Sequence, residues 1–143
     1  MAMKAFETSS TSLSAQLEAL SSSEKSEATI RAERLTARSR VAVILPCYNE
    51  ATTIAQVIVD FQEALPGADI YVFDNNSSDG TAEIALDAGA DVRTENRQGK
   101  GHVVRRMFAD IEADIYIMAD GDGTYDASVA PALIELLQTE HAD

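Results

Sequence analysis

From Val41 onward the apolar positions switch between two spacings. "VAVIL" (41–45) is a continuous apolar run, the pattern of a strand covered on both faces. In "ATTIAQVIVDFQEAL", Ile54, Val57, Ile58, Phe61 and Leu65 recur at helical spacing, and Pro66-Gly67 closes the element. "DIYVF" (69–73) predicts a second strand. "TAEIALDAGA" predicts a short helix ending near Gly89, with Asp79 or Ser78 placed to cap its free amides. "DVRT" (91–94) is the third candidate strand. "GHVVRRMFADIEA" sets Val103, Val104, Met107, Phe108 and Ile111 on one side of a helix, and "DIYIMA" (114–119) is the fourth strand. Val129, Leu133, Leu136 and Leu137 mark a last helix, with Pro131 tolerated in its first turn.

Strand and helix thus alternate, which predicts an α/β layered domain around a mainly parallel sheet. Right-handed crossovers favour the strand order 3-2-1-4, so that the first and fourth strands are neighbours where the winding reverses. Ligands of open α/β sheets bind beyond the carboxyl ends of strands at such a point. Three polar loops would meet there: "PCYNE" (46–50), "DNNSSDGT" (74–81) and "DGDGTYD" (120–126). Residues 1–40 differ, being rich in Ser, Thr, Ala and charge without Gly or Pro. They read as a leader, mobile or partly helical, in which Leu13, Leu17 and Leu20 share a helical face. Its basic end, Arg31, Arg34, Arg38 and Arg40, suits a solvated helix face or contact with an acidic membrane surface. The expected division is a leader at 1–40 and a ligand-binding domain at 41–143.

Composition narrows the partners. A chain of 143 residues with 45% apolar content supports one domain with a real core. A net charge of −13 argues against nucleic acid, whose phosphates need a basic face. Cys47 is the sole cysteine, which excludes an internal disulfide and a thiolate zinc cluster and suits a reducing compartment. No apolar run approaches the ~20 residues that span a bilayer. The expected location is cytoplasmic, with peripheral association at the membrane's cytoplasmic face as a further option.

The chemistry concentrates after the fourth strand. Asp120 and Asp122 flank Gly121, and such a carboxylate pair repels itself unless water solvates it as a plain surface turn or a cation sits between. A hard divalent ion, Mg²⁺ or Mn²⁺, prefers carboxylate oxygens and keeps positions open for phosphate and water. In "PCYNE", Tyr48 offers a ring to stack on a nucleobase and Glu50 an acceptor for a base or ribose; Pro46 ending the strand and Asn49 capping a helix is the plainer alternative. Asp74 suits a base imide or ribose hydroxyl, or a simple turn. In "RQGKG" (97–101), Lys100 or Arg97 could neutralise phosphates at a helix start, although the P-loop spacing is absent. His102 reads as structural, and Cys47 as a small buried residue.

Taken in order, "VAVILPCYNEATTIAQVI", "IYVFDNNSSDGTAEIA", "RQGKGHVVRRMF" and "IYIMADGDGTYD" resemble the consecutive motifs of family 2 glycosyltransferases. The branch they are most similar to holds dolichyl-phosphate mannose synthases and polyprenyl-phosphate glycosyltransferases of cell-envelope glycan synthesis. The resemblance covers Val41 to about Leu137 and implies a three-layer GT-A nucleotide-binding fold, Rossmann-like, of which this chain carries the N-terminal, donor-binding portion. It implies that Pro46, Tyr48 and Glu50 surround the nucleoside, that Asp74 holds the base or ribose, and that Lys100 lies near the nucleotide. Asp120 and Asp122 become the D-x-D pair, with Asp122 the direct Mg²⁺ or Mn²⁺ ligand and Asp120 shared between metal and donor. The implied reaction is metal-dependent transfer of a sugar from a UDP- or GDP-sugar, with inversion, to a polyprenyl or dolichyl phosphate. Two departures stand out: Gly123-Thr124-Tyr125 replaces a glutamine that the branch often carries as a further ligand, and nothing up to Asp143 matches the acceptor half or supplies a catalytic base. A non-catalytic nucleotide-sugar-binding module is the alternative. A sugar nucleotidyltransferase fits less well, because "PCYNEATT" has no glycine.

Overall fold

The computed structural model describes residues 27–140; Leu13, Leu17, Leu20 and His141 lie outside them. The element order is α1 (helical over 27–38), β1 (Val41–Cys47), α2 (Ile54–Ala64), β2 (Asp69–Asp74), α3 (Thr81–Asp87), β3 (Asp91–Thr94), α4 (Lys100–Asp110), β4 (Ile115–Met118), a 3₁₀ turn (Ala127–Val129) and α5 (Ala130–Glu140). The four strands form one parallel sheet in the order β3-β2-β1-β4. The architecture is therefore the expected three-layer α/β fold, with β1 central and buried along its whole length.

Alternation along the strands sends side chains to two cores. Val41, Val43, Leu45 and Cys47 join Ile70, Val72, Ile54, Ile58 and Phe61 on one face. Ala42, Ile44, Tyr71 and Phe73 meet Val103, Met107 and Ile111 of α4 on the other. Each fully buried aliphatic or Phe side chain here contributes about 1.5–3 kcal/mol relative to exposure. The described part of the leader is helical, with Ala32 and Leu35 buried. It is tied down by Thr36 Oγ1 donating to the Pro66 carbonyl at 2.7 Å and by Gln138 Nε2 donating to Ser39 Oγ at 3.2 Å. Arg31 pairs with Glu135, and Arg40 lies 3.7 Å from Asp69. Two of the four leader arginines thus already face carboxylates of the chain itself.

Several expectations need correction. Pro46 does not end the first strand: β1 runs on to Cys47, with Pro46 opposite Phe73. A proline fits there because its missing N–H would point toward β4, whose pairing with β1 stops at Ile44 opposite Met118. Asn49 does not cap α2; that helix begins at Ile54, after Thr53. Asn49 instead takes a left-handed conformation (φ 54°) that turns the chain out of the sheet. On α4, Phe108 is exposed and meets Tyr116 edge-on at 5.2 Å. The last helix exists, but Ala130 and Ile134 are its buried residues, whereas Val129, Leu133, Leu136 and Leu137 are exposed. Their spacing is helical; among the described residues, no element covers that side.

Candidate functional site

Hydrogen bonds between loops determine which side chains share the rim of the sheet. Beyond β1, the Asn49 amide donates to Ser77 Oγ (2.8 Å), and Asn49 Oδ1 accepts from the Ser78 amide (2.9 Å). The Glu50 amide donates to Thr81 Oγ1 (2.9 Å), and the Ala51 amide to Asp79 Oδ2 (3.1 Å). Asp79 Oδ1 accepts from the Thr81 amide (3.1 Å) and hydroxyl (2.5 Å). Asp79 therefore serves the start of α3 as expected, although Gly80 takes the capping position itself. These contacts fasten the loop after β1 to the loop after β2. On the other side, Thr53 Oγ1 donates to the Gly121 carbonyl at 2.7 Å, joining the start of α2 to the loop after β4.

A third fastening comes from Asn75, a residue that sequence reasoning passed over. Its Nδ2 donates to the carbonyls of Glu95 and Arg97 (2.8 Å each), and its Oδ1 accepts from the Gly99 amide (2.9 Å). The carboxamide thereby holds the turn that leads into α4. Gly99, at φ 125°, adopts a backbone that side-chain-bearing residues rarely take. Lys100, the first residue of α4, is aimed across the rim as a result. The signal in the sequence was present as "DNN", but polar turn residues of that kind carry no sign of which carbonyls they serve.

The loops enclose a cavity of about 420 Å³ lined by Pro46, Cys47, Tyr48, Glu50, Asn75, Gln98, Gly99, Lys100, Val103, Asp120 and Asp122. Six of the seven predicted site residues are in that lining. The seventh, Asp74, is buried beside it at the end of β2, opposite Cys47, with Oδ2 accepting from the Ser77 amide at 3.2 Å. Asp74 Oδ1 has no hydrogen-bond partner, an unmet acceptor in a buried position. A larger opening of about 780 Å³ lies between α1, α2 and residues 123–132. There Asp126 accepts from the Ser128 amide (2.9 Å) and Asp60 from Gln56 (2.7 Å). The smaller cavity is the better candidate because its polar groups come from four separate loops beyond the carboxyl ends of the strands.

The electrostatics of the cavity are dominated by carboxylates and one ammonium. Lys100 Nζ donates to Asp120 Oδ1 at 2.7 Å, and the contact raises the lysine's pKa. Asp122 Oδ1 accepts from the Thr124 amide (3.0 Å) and hydroxyl (2.8 Å), which together hold its carboxyl below the usual aspartate range. Thr124 thus orients Asp122. Burial raises the Glu50 carboxyl; the neighbouring Cys47 thiol opposes the shift, and Asp122 and Asp120 add to it. The thiol lies 3.6 Å from the Leu45 carbonyl and also borders Glu50, whose Oε2 is buried without a partner at hydrogen-bond geometry. Burial first, then Glu50, push the Cys47 thiol far up, and a neutral buried thiol is no nucleophile.

Gly121 explains how the carboxylates come so near this cluster. A Cβ there would collide with Glu50 Oε2, fall 2.6 Å from Cys47 Sγ and 3.2 Å from Ile54 Cδ1. The two flanking aspartates fit a hard divalent ion in donor type. Asp120 Oδ1 already holds a cationic group, and Thr124 engages only one oxygen of Asp122. Among the described residues, no three Asp, Glu, His or Cys side chains form a complete ion cage. Any ion held here would draw its remaining ligands from water or a bound anion, the habit of Mg²⁺ and Mn²⁺ with phosphates.

A doubly wound sheet with carboxylates and an exposed tyrosine on its carboxyl rim is the architecture of nucleotide-binding α/β domains. The chain belongs to glycosyl transferase family 2, whose family pattern matches residues 42–143. Protein RfbJ of Shigella flexneri is 59% identical over 103 residues, spanning 72% of this chain and 80% of that protein. Glycosyltransferase AglJ of Haloferax volcanii is 45% identical over 98 residues, spanning 68% of this chain but 32% of AglJ. Among solved structures, glucosyl-3-phosphoglycerate synthase from Mycobacterium tuberculosis in complex with UDP superimposes with a TM-score of 0.66 at 29% identity, over 76% of this chain and 43% of that one. The same enzyme has also been solved with Mn²⁺ and UDP-glucose and with Mg²⁺ and UDP. Dolichol-phosphate mannosyltransferase of Pyrococcus furiosus is 29% identical over 106 residues. This chain spans about a third to two-fifths of most of these longer relatives.

Proposed function

We propose that residues 41–143 form the donor-binding part of an inverting, metal-dependent glycosyltransferase that takes a UDP- or GDP-sugar, with a polyprenyl or dolichyl phosphate as acceptor at the membrane's cytoplasmic face. The observation that carries this reading is the meeting of Asp120, Asp122, Lys100, Glu50 and Tyr48 on one cavity beyond β1 and β4. Tyr48, with its ring exposed, is placed to stack on the base. Glu50 and Asp74 each carry a buried oxygen without a partner, suited to accepting from a base imide or ribose hydroxyl. Lys100 supplies positive charge for the diphosphate. Asp122 and Asp120 would hold Mg²⁺ or Mn²⁺, which when bound neutralises charge developing on the departing diphosphate. In the transfer itself, an acceptor oxygen attacks the anomeric carbon as the bond to the diphosphate oxygen breaks, which inverts that centre. No base for the acceptor is assigned to the described residues.

Calorimetry with UDP- and GDP-sugars, with and without Mn²⁺, tests the donor site. Wild type should bind one of them with metal dependence, and the Asp120→Ala, Asp122→Ala double variant should lose that dependence. Equal binding by the double variant would remove the metal role. The second reading is a nucleotide-sugar-binding module without turnover. Release of nucleoside diphosphate on adding a lipid-phosphate acceptor would decide for transfer; donor binding without release would decide for the module.

A further inference from the structure

We propose that Lys100 is a built-in counter-ion: it occupies Asp120 until a divalent cation arrives, then passes to the donor's diphosphate. Metal and diphosphate binding would then reinforce each other through this one side chain. The inference deepens the donor-site reading and rests on it. Three observations carry it. Lys100 Nζ lies 2.7 Å from Asp120 Oδ1, and both residues line the same cavity. The backbone at this point is fixed, because Asn75 binds the Gly99 amide and the carbonyls of Glu95 and Arg97. The lysine side chain, by contrast, is 63% exposed and, among the described residues, meets no other carboxylate within ion-pair distance. A fixed root and a flexible four-carbon stem let the ammonium move between partners without moving the loop.

Charge accounting favours the exchange. Without a cation, Asp120 stands near Glu50 and Asp122, and the lysine relieves that repulsion. A divalent ion brings twice the charge to the same oxygens, so the ammonium becomes redundant at Asp120 and is repelled by the ion. A diphosphate drawn to the ion then offers the displaced lysine a new partner within the same cavity. An exposed ion pair of this kind is weak, so its loss shifts affinity by roughly two- to five-fold rather than by orders of magnitude.

The test is a binding cycle on the full chain with Mn²⁺ and UDP as probes, comparing wild type, Lys100→Gln and the Asp120→Ala, Asp122→Ala double variant. Mn²⁺ alone, followed by electron paramagnetic resonance, should bind Lys100→Gln about two- to five-fold more tightly than wild type. UDP should bind Lys100→Gln more weakly, and the penalty should be larger with saturating Mn²⁺ than without it. A lysine that always rests on the phosphates would instead give an equal or smaller penalty with metal. Unchanged or weaker Mn²⁺ affinity in Lys100→Gln, or a UDP penalty indifferent to Mn²⁺, overturns the counter-ion role while leaving the metal site intact. Mn²⁺ binding that is absent, or that survives in the double variant, overturns the metal reading together with this one.

Discussion

At the scale of single residues, Glu50 shows function set against stability. Its amide and carbonyl are used by the fold: the amide donates to Thr81, and the carbonyl accepts from Thr53 and Ile54. Its carboxylate, by contrast, is partly desolvated, near two aspartates, and has one oxygen unpaired. A carboxyl whose pKa is raised by folding favours the folded state when protonated. Its contribution is therefore fully present at acid pH and is lost as pH rises through the folded value, above the ordinary glutamate range. Glu50→Gln keeps the shape and removes the charge. It should raise Tm at neutral pH, and the gain should shrink as the pH is lowered until the wild-type glutamate is itself protonated. Thermal melts of both proteins from pH 4 to 8 check this; a gain that is constant across the range would show that burial of the charge is not the cause. The same substitution should weaken donor binding if the orphaned oxygen accepts from the nucleoside.

At the scale of elements, the site depends on how β2 is joined to the turn before α4, and Asn75 makes that joint. Asn75→Ala removes three hydrogen bonds at once and leaves the Gly99 amide and two carbonyls to find water. A net loss of about 1–3 kcal/mol is expected where such groups stay partly buried. Asn75→Asp should keep the bond to the Gly99 amide but set a carboxylate oxygen against both carbonyls in a buried position, so at neutral pH its deficit should exceed that of Ala. Urea unfolding ranks the three, and hydrogen exchange should show faster exchange over 95–101 in Asn75→Ala with β1 unaffected. Uniform acceleration along the chain would mean that Asn75 serves global stability instead. This joint also marks where the sequence stops being readable. Helices were legible because their 3.6-residue period repeats over several turns, and strands because short continuous apolar runs stand between them; β3 falls on "DVRT" as read. The D-x-D pair was legible because two carboxylates directly after an apolar run are chemically conspicuous, although β4 itself is a half-buried edge strand with Met118 exposed. The staple was not, since a single carboxamide serving carbonyls 20 and 22 residues away has no local pattern. Periodicity misled on α5, where Leu133, Leu136 and Leu137 are helically spaced yet exposed: the spacing of an apolar stripe fixes which residues share a face, not whether that face is covered.

At the scale of the whole molecule, charge is unevenly placed. After Arg40 the only lysines and arginines are Arg93, Arg97, Lys100, Arg105 and Arg106, all in β3, α4 and the turn between them. Arg106 is held by Asp110 at 3.0 Å and faces Glu95 at 3.7 Å, and Arg93 faces Asp91 and Asp110. Elsewhere the domain is acidic, and among its described carboxylates outside β3, α4 and that turn only Asp69, Asp120 and Glu135 meet a cationic side chain. Two opposing effects of salt follow. Screening weakens the exposed ion pairs, each worth about 0.2–1 kcal/mol, and it also relieves self-repulsion in a chain of net charge −13. The second should win, because the pairs are few and solvent-exposed whereas the repulsion is summed over the whole surface and acts within a Debye length of about 10 Å at 0.1 M. Raising NaCl from about 10 mM to about 300 mM, across which the screening length falls several-fold, should therefore raise Tm. The gain should be smaller for a variant with exposed acids on α2 and α3, such as Glu63 and Asp87, replaced by Gln and Asn. A Tm that falls with salt would mean that the ion pairs around α4 outweigh the surface repulsion. Divalent ions add a distinction: if Asp120 and Asp122 hold one, Mg²⁺ should stabilise beyond the effect of NaCl at equal ionic strength, and that excess alone should vanish in the Asp120→Ala, Asp122→Ala variant.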